Sequence, residues 1–265
     1  MTEMMNEREA IESRHAVREY YDRKIEPEAL EDLQREISRC NEESGLNMQL
    51  VTEEPRAFDS FMAHYGKFSN VRNYIILAGK KSLDLQEKVG YYGERVAIRA
   101  QMLGLNTCWV ALTFSRRKVK KFFRPASGEK IVCVLALGYG TSRGLSHKSR
   151  THSELCSVQG DMPVWFKEGM TCAMLAPTAM NQQKFRLTLT GPHSVRAEAT
   201  GGLYSKIDLG IVKYHFEVGA GLENFQWDAV PEKKTSGKRS GTAISAESGP
   251  GSEEVLAAAS ASAGK

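Results

Sequence analysis

Seven consecutive apolar residues, 131–137 (IVCVLAL), constrain the fold of this chain more than any other feature. An unbroken apolar run of this length is typical of a strand that is covered on both faces. Such a strand needs other strands beside it and helices on each side of the sheet. The run therefore predicts a central strand in a layered domain of helices and strands.

Helical and strand patterns alternate along most of the chain. The clearest helix is predicted over 84–103, where apolar side chains recur at helical spacing and Gly104 follows as a left-handed cap. Other helices are predicted from Pro27 to a stop at Gly45 and over 115–123, 163–175 and 206–219. Strands are predicted over 48–52, 70–78, 107–112, 131–137, 185–190 and 195–200. No internal repeat is visible, so the sequence predicts one α+β domain with a central sheet between helices.

The composition changes near the C-terminus. Residues 231–265 are mostly Ser, Gly, Ala, Lys and Glu, with almost no large apolar side chains. Such a segment cannot bury enough apolar surface to offset its ordering entropy. We therefore predict a folded domain over 1–230 and a disordered, low-complexity tail over 231–265.

Bulk properties argue against several functional classes. The formal net charge of +4 is mild and comes without a basic stripe, which disfavours nucleic-acid binding but suits a small anionic ligand. No apolar run approaches a membrane span, and the polar N-terminus lacks the apolar stretch of a signal peptide. The five cysteines are widely spaced and the six histidines lack metal-ligand spacing, so neither a disulfide framework nor a metal site is expected. We expect a cytoplasmic protein.

Two short cationic segments could hold a phosphate. Arg14-His15-Ala16-Val17-Arg18 follows an apolar helix position, and Lys148-Ser149-Arg150 follows the central strand. Arginine offers a planar fork of donors that matches phosphate oxygens. On composition alone, a solvated surface cluster is the favoured interpretation of each segment.

The glycines after the central strand invite a dinucleotide-fold interpretation. Gly138, Gly140 and Gly144 have the spacing G-x-G-x-x-x-G, and the residues that follow do not resemble a helix start. A dinucleotide loop requires a different glycine spacing and a helix N-terminus for the pyrophosphate. A turn after a strand is the favoured interpretation.

A polar connection, Ala176-Pro177-Thr178-Ala179-Met180-Asn181-Gln182-Gln183, separates a predicted helix from a predicted strand. Pro177 ends the helix. Neutral amide side chains then offer both donors and acceptors, which matches the hydrogen-bonding edge of a flavin ring without adding charge. An ordinary polar connection explains this segment equally well.

Taken together, these segments resemble the flavin-dependent nitroreductase family. The first resembles the family's R-[RH]-S-x-[RK] element for the ribityl phosphate of FMN, with Ala16 in place of the serine. The second is similar to its K-S-R phosphate element. The connection is similar to A-P-S-x-x-N-x-Q, whose Asn contacts the flavin, although Lys184-Phe185 replaces the usual Pro-Trp.

A fourth segment, Leu103-Gly104-Leu105-Asn106-Thr107-Cys108-Trp109, is similar to the family's L-G-L-G-[ST]-x-W strand entry. The resemblance implies that the backbone near Val110 and Ala111 approaches the isoalloxazine. The order of the elements resembles the subgroup called putative TM nitroreductases, and the resemblance spans about 6–227.

The resemblance implies a fold, a cofactor and a reaction. The fold is a three-layer α+β arrangement with a central, mainly antiparallel sheet flanked by helices. The reaction is ping-pong hydride transfer from NAD(P)H through FMN to a small acceptor such as a nitroaromatic or a quinone. No catalytic side chain is required, because the cofactor carries the chemistry. The implied cofactor-binding residues are Arg14, His15, Arg18, Val110, Ala111, Lys148, Arg150, Asn181 and Gln183.

The family also implies a homodimer with the flavin near the subunit interface. Trp165, Phe166 and Met170 could be either interface or core residues.

Two other functions remain open beside the oxidoreductase. A non-catalytic FMN-binding sensor or flavin store is a second function, since Ala16 and Lys184-Phe185 depart from the pattern. A structural or partner-binding domain with a decayed site is a third, which the retained cations disfavour.

Overall fold

A computed structural model describes residues 5–59 and 65–228 of the chain. The predicted tail over 231–265 lies outside the described residues, so the boundary near 230 stays a prediction.

Seven α-helices are described along the chain. The first is capped by a reciprocal pair in which Asn6 accepts from the Glu9 N–H and the Glu9 carboxylate accepts from the Asn6 N–H. The second begins at Pro27 and ends before Gly45, whose φ of 71° forms a left-handed cap. The helices are α1 (Glu7–Ser13), α2 (Pro27–Ser44), α3 (Leu85–Met102), α4 (Arg116–Val119), α5 (His152–Leu155), α6 (Val164–Ala173) and α7 (Ser205–Ala220).

The described strands form two four-stranded sheets. The first sheet has the order β1-β2-β4-β3, and every neighbouring pair is antiparallel. The second has the order β5-β6-β7-β8, with an antiparallel hairpin between two parallel outer pairs. The strands are β1 (Gln49–Val51), β2 (Asn73–Lys80), β3 (Asn106–Val110), β4 (Glu129–Gly138), β5 (Cys156–Ser157), β6 (Phe185–Gly191), β7 (Ser194–Ala199) and β8 (Gln226–Trp227).

The predicted central strand is β4, which lies between β2 and β3. Its residues 132–138 are all buried, because apolar side chains cover both faces of the sheet. The prediction of an α+β fold with a mainly antiparallel sheet and flanking helices is confirmed. What the sequence did not indicate is that the strands divide between two sheets.

The helices α3 and α7 cross closely between the two sheets. A Cβ atom built on Gly90 would lie 2.0 Å from the Ile207 carbonyl oxygen, and one on Gly210 would lie 2.0 Å from the Glu87 carbonyl oxygen. The two contacts are symmetric, since each glycine approaches the residue that lies three positions before the glycine of the other helix. Only a residue without a side chain allows this approach of two backbones.

Helix α4 is shorter than predicted. The expected helix over 115–123 is capped by the Ser115 hydroxyl but ends at Val119. Beyond that point the backbone N–H groups of Lys121 and Phe122 donate to carbonyls three residues earlier, so the helix tightens into turns. In the described part of the chain, no helix has the length and apolar character needed to span a membrane.

Candidate functional site

The segment 14–18 lies along the first half of β3. Arg14 ends α1, and its backbone N–H donates to the Ala10 carbonyl at 2.9 Å. Ala16 then pairs in parallel with Thr107, whose carbonyl accepts from the Val17 N–H at 3.1 Å. Two of the four predicted segments are therefore neighbours in the fold.

The loop after β4 packs against the same segment. Gly144 has a φ of 74°, and a Cβ there would lie 2.7 Å from the Cβ of His15 and 2.9 Å from the Ala16 carbonyl oxygen. The Gly140 N–H donates to Asn106 Oδ1 at 3.0 Å. The helix that follows β4, α5, has only four residues and starts at His152. These glycines thus allow close backbone approach rather than forming a dinucleotide loop.

The region around His15 is electropositive. The side chain is half-buried, and its burial lowers its pKa below the ordinary value. Repulsion from Arg14 and His147 lowers that pKa further. The Arg14 charge that disfavours a proton on His15 favours an anion at the same place.

Arg14 is a buried cation that lacks sufficient acceptors. It is 4% exposed, and its Nε lies 3.3 Å from Glu94 Oε1 without the angle of a hydrogen bond. Among the described residues, Arg14 Nε and Thr107 Oγ1 are both buried atoms without a hydrogen-bond partner. Buried polar groups are nearly always paired, so these atoms point to an absent acceptor.

Glu94 connects Arg14 to the crossing of α3 and α7. Its carboxylate is fully buried and accepts from Trp109 Nε1 at 2.7 Å and from His215 Nε2 at 3.0 Å. Burial alone raises the pKa of Glu94. The Arg14 charge and the bonds from His215 and Trp109 outweigh burial, and the pKa of Glu94 falls below its ordinary value.

The loop 148–150 is held by the polar connection that follows α6. Gln183 is buried, and its amide donates to the Lys148 carbonyl at 2.7 Å and accepts from the Arg150 N–H at 2.8 Å. Asn181, which is exposed, donates to the same Lys148 carbonyl at 3.0 Å. The structure therefore brings the second and third predicted segments together. The amide of Gln183 is used inside the protein, so its direct contact with a cofactor stays a prediction.

That connection has an unusual backbone. Positive φ values of 53°, 52° and 47° occur at Met180, Asn181 and Gln183. Residues other than glycine adopt such values at a cost in conformational free energy. Asp208 on α7 holds the segment by accepting from the Ala179 N–H at 3.0 Å and from Gln182 Nε2 at 2.8 Å.

The remaining predicted site residues lie either at the end of β3 or on the exposed surface. Val110 is buried at the end of β3, and the half-buried Ala111 follows it. The side chains of Arg18, Lys148 and Arg150 are exposed. They are therefore accessible to a ligand.

Sequence reasoning missed Glu94, His215, His147 and Thr107. His215 carried a signal, since it lies among the apolar positions of a predicted helix, whereas Glu94 lies away from the apolar positions that define its helix. His147 directly precedes the second cationic segment, and Thr107 lies within the fourth segment.

Comparisons with known proteins agree with this architecture. Residues 6–220 match the family described as "Putative TM nitroreductase". No curated protein matches the chain. A crystal structure of a putative nitroreductase from Thermotoga maritima MSB8 is 22% identical, with a TM-score of 0.58 over 83% of this chain and 85% of that one. At this identity, the similarity shows the fold alone.

Two further solved structures are similar over about half of the chain. One is an FMN-dependent nitroreductase from Clostridium difficile R20291, with 16% identity and a TM-score of 0.42 over 55% of this chain and 92% of that one. The other is a putative NADH dehydrogenase/NAD(P)H nitroreductase from Parabacteroides distasonis ATCC 8503, with 21% identity and a TM-score of 0.46 over 57% and 97%. At these TM-scores neither structure adds to the argument.

Proposed function

Because the chain belongs to the putative TM nitroreductase family, we propose that it is an FMN-dependent oxidoreductase of the nitroreductase type. Its electron donor is NAD(P)H, and its acceptor is a small molecule such as a nitroaromatic or a quinone. When bound, FMN supplies ping-pong hydride transfer between them. The chain's own residues bind and orient the cofactor.

The main support for this proposal is the burial of the Arg14 guanidinium. It is 4% exposed, its Nε has no hydrogen-bond acceptor among the described residues, and its charge lowers the pKa of the half-buried His15. A phosphate monoester supplies several strong acceptors and a compensating negative charge. The unpaired hydroxyl of Thr107 offers a further donor. These residues fit the phosphate end of FMN.

Other residues of the candidate site have complementary roles in the proposal. Arg14, His15, Arg18, Lys148 and Arg150 hold the phosphate. A backbone N–H near Val110 or Ala111 and the amide of Asn181 bind the ring. Gln183 acts on the ring or, through its bonds to the loop 148–150, keeps the phosphate-binding cations in place.

Substitution of Arg14 tests the phosphate assignment. Arg14→Met should raise the Kd for FMN by about 10- to 150-fold, because removing a charge-assisted partner costs roughly 1.5–3 kcal/mol. The affinity for riboflavin, which lacks the phosphate, should not change. Quenching of flavin fluorescence measures both constants, and Arg35→Met on the exposed face of α2 serves as the matched control. An unchanged FMN affinity would remove Arg14 from the site.

A non-catalytic FMN sensor or flavin store is the second candidate. It is favoured by two departures from the family pattern, Ala16 for serine and Lys184-Phe185 for Pro-Trp. Addition of NADH or NADPH without oxygen separates the two functions. Bleaching of the bound flavin supports the oxidoreductase, whereas a flavin that stays oxidised supports the sensor or store. A protein that does not bind FMN contradicts both.

A further inference from the structure

The proposed function leaves part of a buried charge cluster unexplained. Arg14, Glu94 and His215, which we term the buried triad, are 4%, 0% and 0% exposed. They come from the end of α1, from α3 and from α7. Charged groups are rarely buried at this depth without a specific set of partners.

The hydrogen bonds of His215 define its charge. Nδ1 lies 3.1 Å from the Cys172 carbonyl oxygen, which can only accept, so Nδ1 carries a hydrogen. Nε2 lies 3.0 Å from the Glu94 carboxylate. Glu94 is ionised, because it also faces Arg14 and accepts from the Trp109 N–H. Nε2 therefore carries a hydrogen as well, and His215 is an imidazolium.

The triad then holds one uncompensated positive charge. Arg14 and His215 contribute two positive charges, and Glu94 contributes one negative charge. The two ionisable side chains next to His215, Cys172 on α6 and Tyr214 on α7, do not cancel this excess. Burial raises the pKa of the Cys172 thiol to about 11, and burial together with Glu7 raises the pKa of Tyr214 well above its ordinary value, so both stay neutral at pH 7.

We propose that Glu94 and His215 are positioning residues for the anion site, with Glu94 orienting the Arg14 guanidinium and His215 keeping the triad at a net charge of +1. Without the imidazolium, Glu94 would neutralise Arg14, and the triad would offer an incoming anion no net charge. With it, the triad needs a counter-ion, which a phosphate monoester provides. The identity of that anion as the FMN phosphate depends on the proposed function.

The variant His215→Gln tests this role. Glutamine keeps an N–H that can donate to Glu94 but removes the positive charge. We expect the affinity for FMN to fall roughly tenfold, as for the loss of one nearby buried charge, while the affinity for riboflavin stays the same. Val212→Ala, a cavity-forming change on the same helix, is the matched control and should alter stability but neither affinity.

A double variant tests whether His215 acts through the net charge of the triad. In the Arg14→Met background the triad is neutral, and His215→Gln then leaves Glu94 alone with a charge of −1, so the affinity for FMN should fall again, roughly tenfold. No further loss would mean that the charge of His215 does not act on the anion. An equal loss of FMN and riboflavin affinity would show a purely structural role. Either result overturns the proposal.

The charge of His215 can be measured directly on the unaltered protein. Spectra of the chain with ¹⁵N-labelled histidine should show both ring nitrogens of His215 protonated at pH 7, and a neutral ring would overturn the proposal. If the protein binds no FMN, the proposed function fails. Inorganic phosphate then probes the triad: a shift of the His215 signals supports it, and no shift overturns it.

Discussion

Among single residues, Asp208 shows how one buried carboxyl group holds a strained segment in place. It lies on α7 and accepts two hydrogen bonds from the connection that contains the left-handed Met180 and Asn181. That connection in turn holds the loop 148–150 through Gln183. Burial raises the pKa of Asp208 to about 6, although the bonds from Gln182 and Ala179 oppose this rise.

This pKa predicts a pH dependence of stability. Because the folded-state pKa lies above the unfolded one, the stabilising contribution of Asp208 is complete below about pH 4 and is lost as the pH rises through about 6. Asp208→Asn removes this contribution. Relative to the wild type, its free energy of unfolding should therefore improve by up to about 3 kcal/mol between pH 4 and pH 7. Urea unfolding across this range measures the difference, and parallel profiles would contradict the assignment.

At the scale of elements, the crossing of α3 and α7 determines how the candidate site is assembled. These helices carry Glu94 and His215, whose contact depends on the approach at Gly90 and Gly210. Each helix is followed by a Gly-Leu pair and a strand that contains a tryptophan bonded to a glutamate: Trp109 to Glu94, and Trp227 to Glu217. In both cases the tryptophan of the strand bonds back to a glutamate of the preceding helix.

The crossing predicts a steric penalty. Gly90→Ala would place a methyl group 2.0 Å from the backbone of α7, so the helices must separate. We expect the free energy of unfolding to fall by about 3 kcal/mol, despite the roughly 1 kcal/mol gain in helix propensity. Gly191→Ala is the control, because a Cβ there meets only ordinary contacts at 3.6 Å. Chemical denaturation that gives equal stabilities for the two variants would refute this role for Gly90.

At the scale of the whole molecule, the oligomeric state is a prediction from family resemblance. Phe166 and Met170, which could have formed a subunit interface, are fully buried within one chain, so they no longer support it. We still propose a homodimer, and light scattering should give about twice the chain mass of 29.4 kDa. A particle of single-chain mass would contradict the homodimer but leave the triad and its anion site unaffected.

Much of the fold could be predicted from sequence because its signals are local. The helix predicted over 84–103 is observed as Leu85–Met102, and the helix predicted over 206–219 as Ser205–Ala220. Helical spacing and the caps at Gly45 and Gly104 involve residues within a few positions of one another. The short strands β5 and β8 were missed, because two residues cannot show a period.

The candidate site was predicted only in part, for the same physical reason. Local patterns in the sequence specify where most of the helices and strands form and which segments carry cations and amides. What each buried polar group faces depends on how those elements pack. Glu94 and His215 are 121 residues apart, and their contact depends on the packing of two helices. Periodicity indicates that a face is buried, but the charge of a buried cluster depends on which distant partners packing brings together.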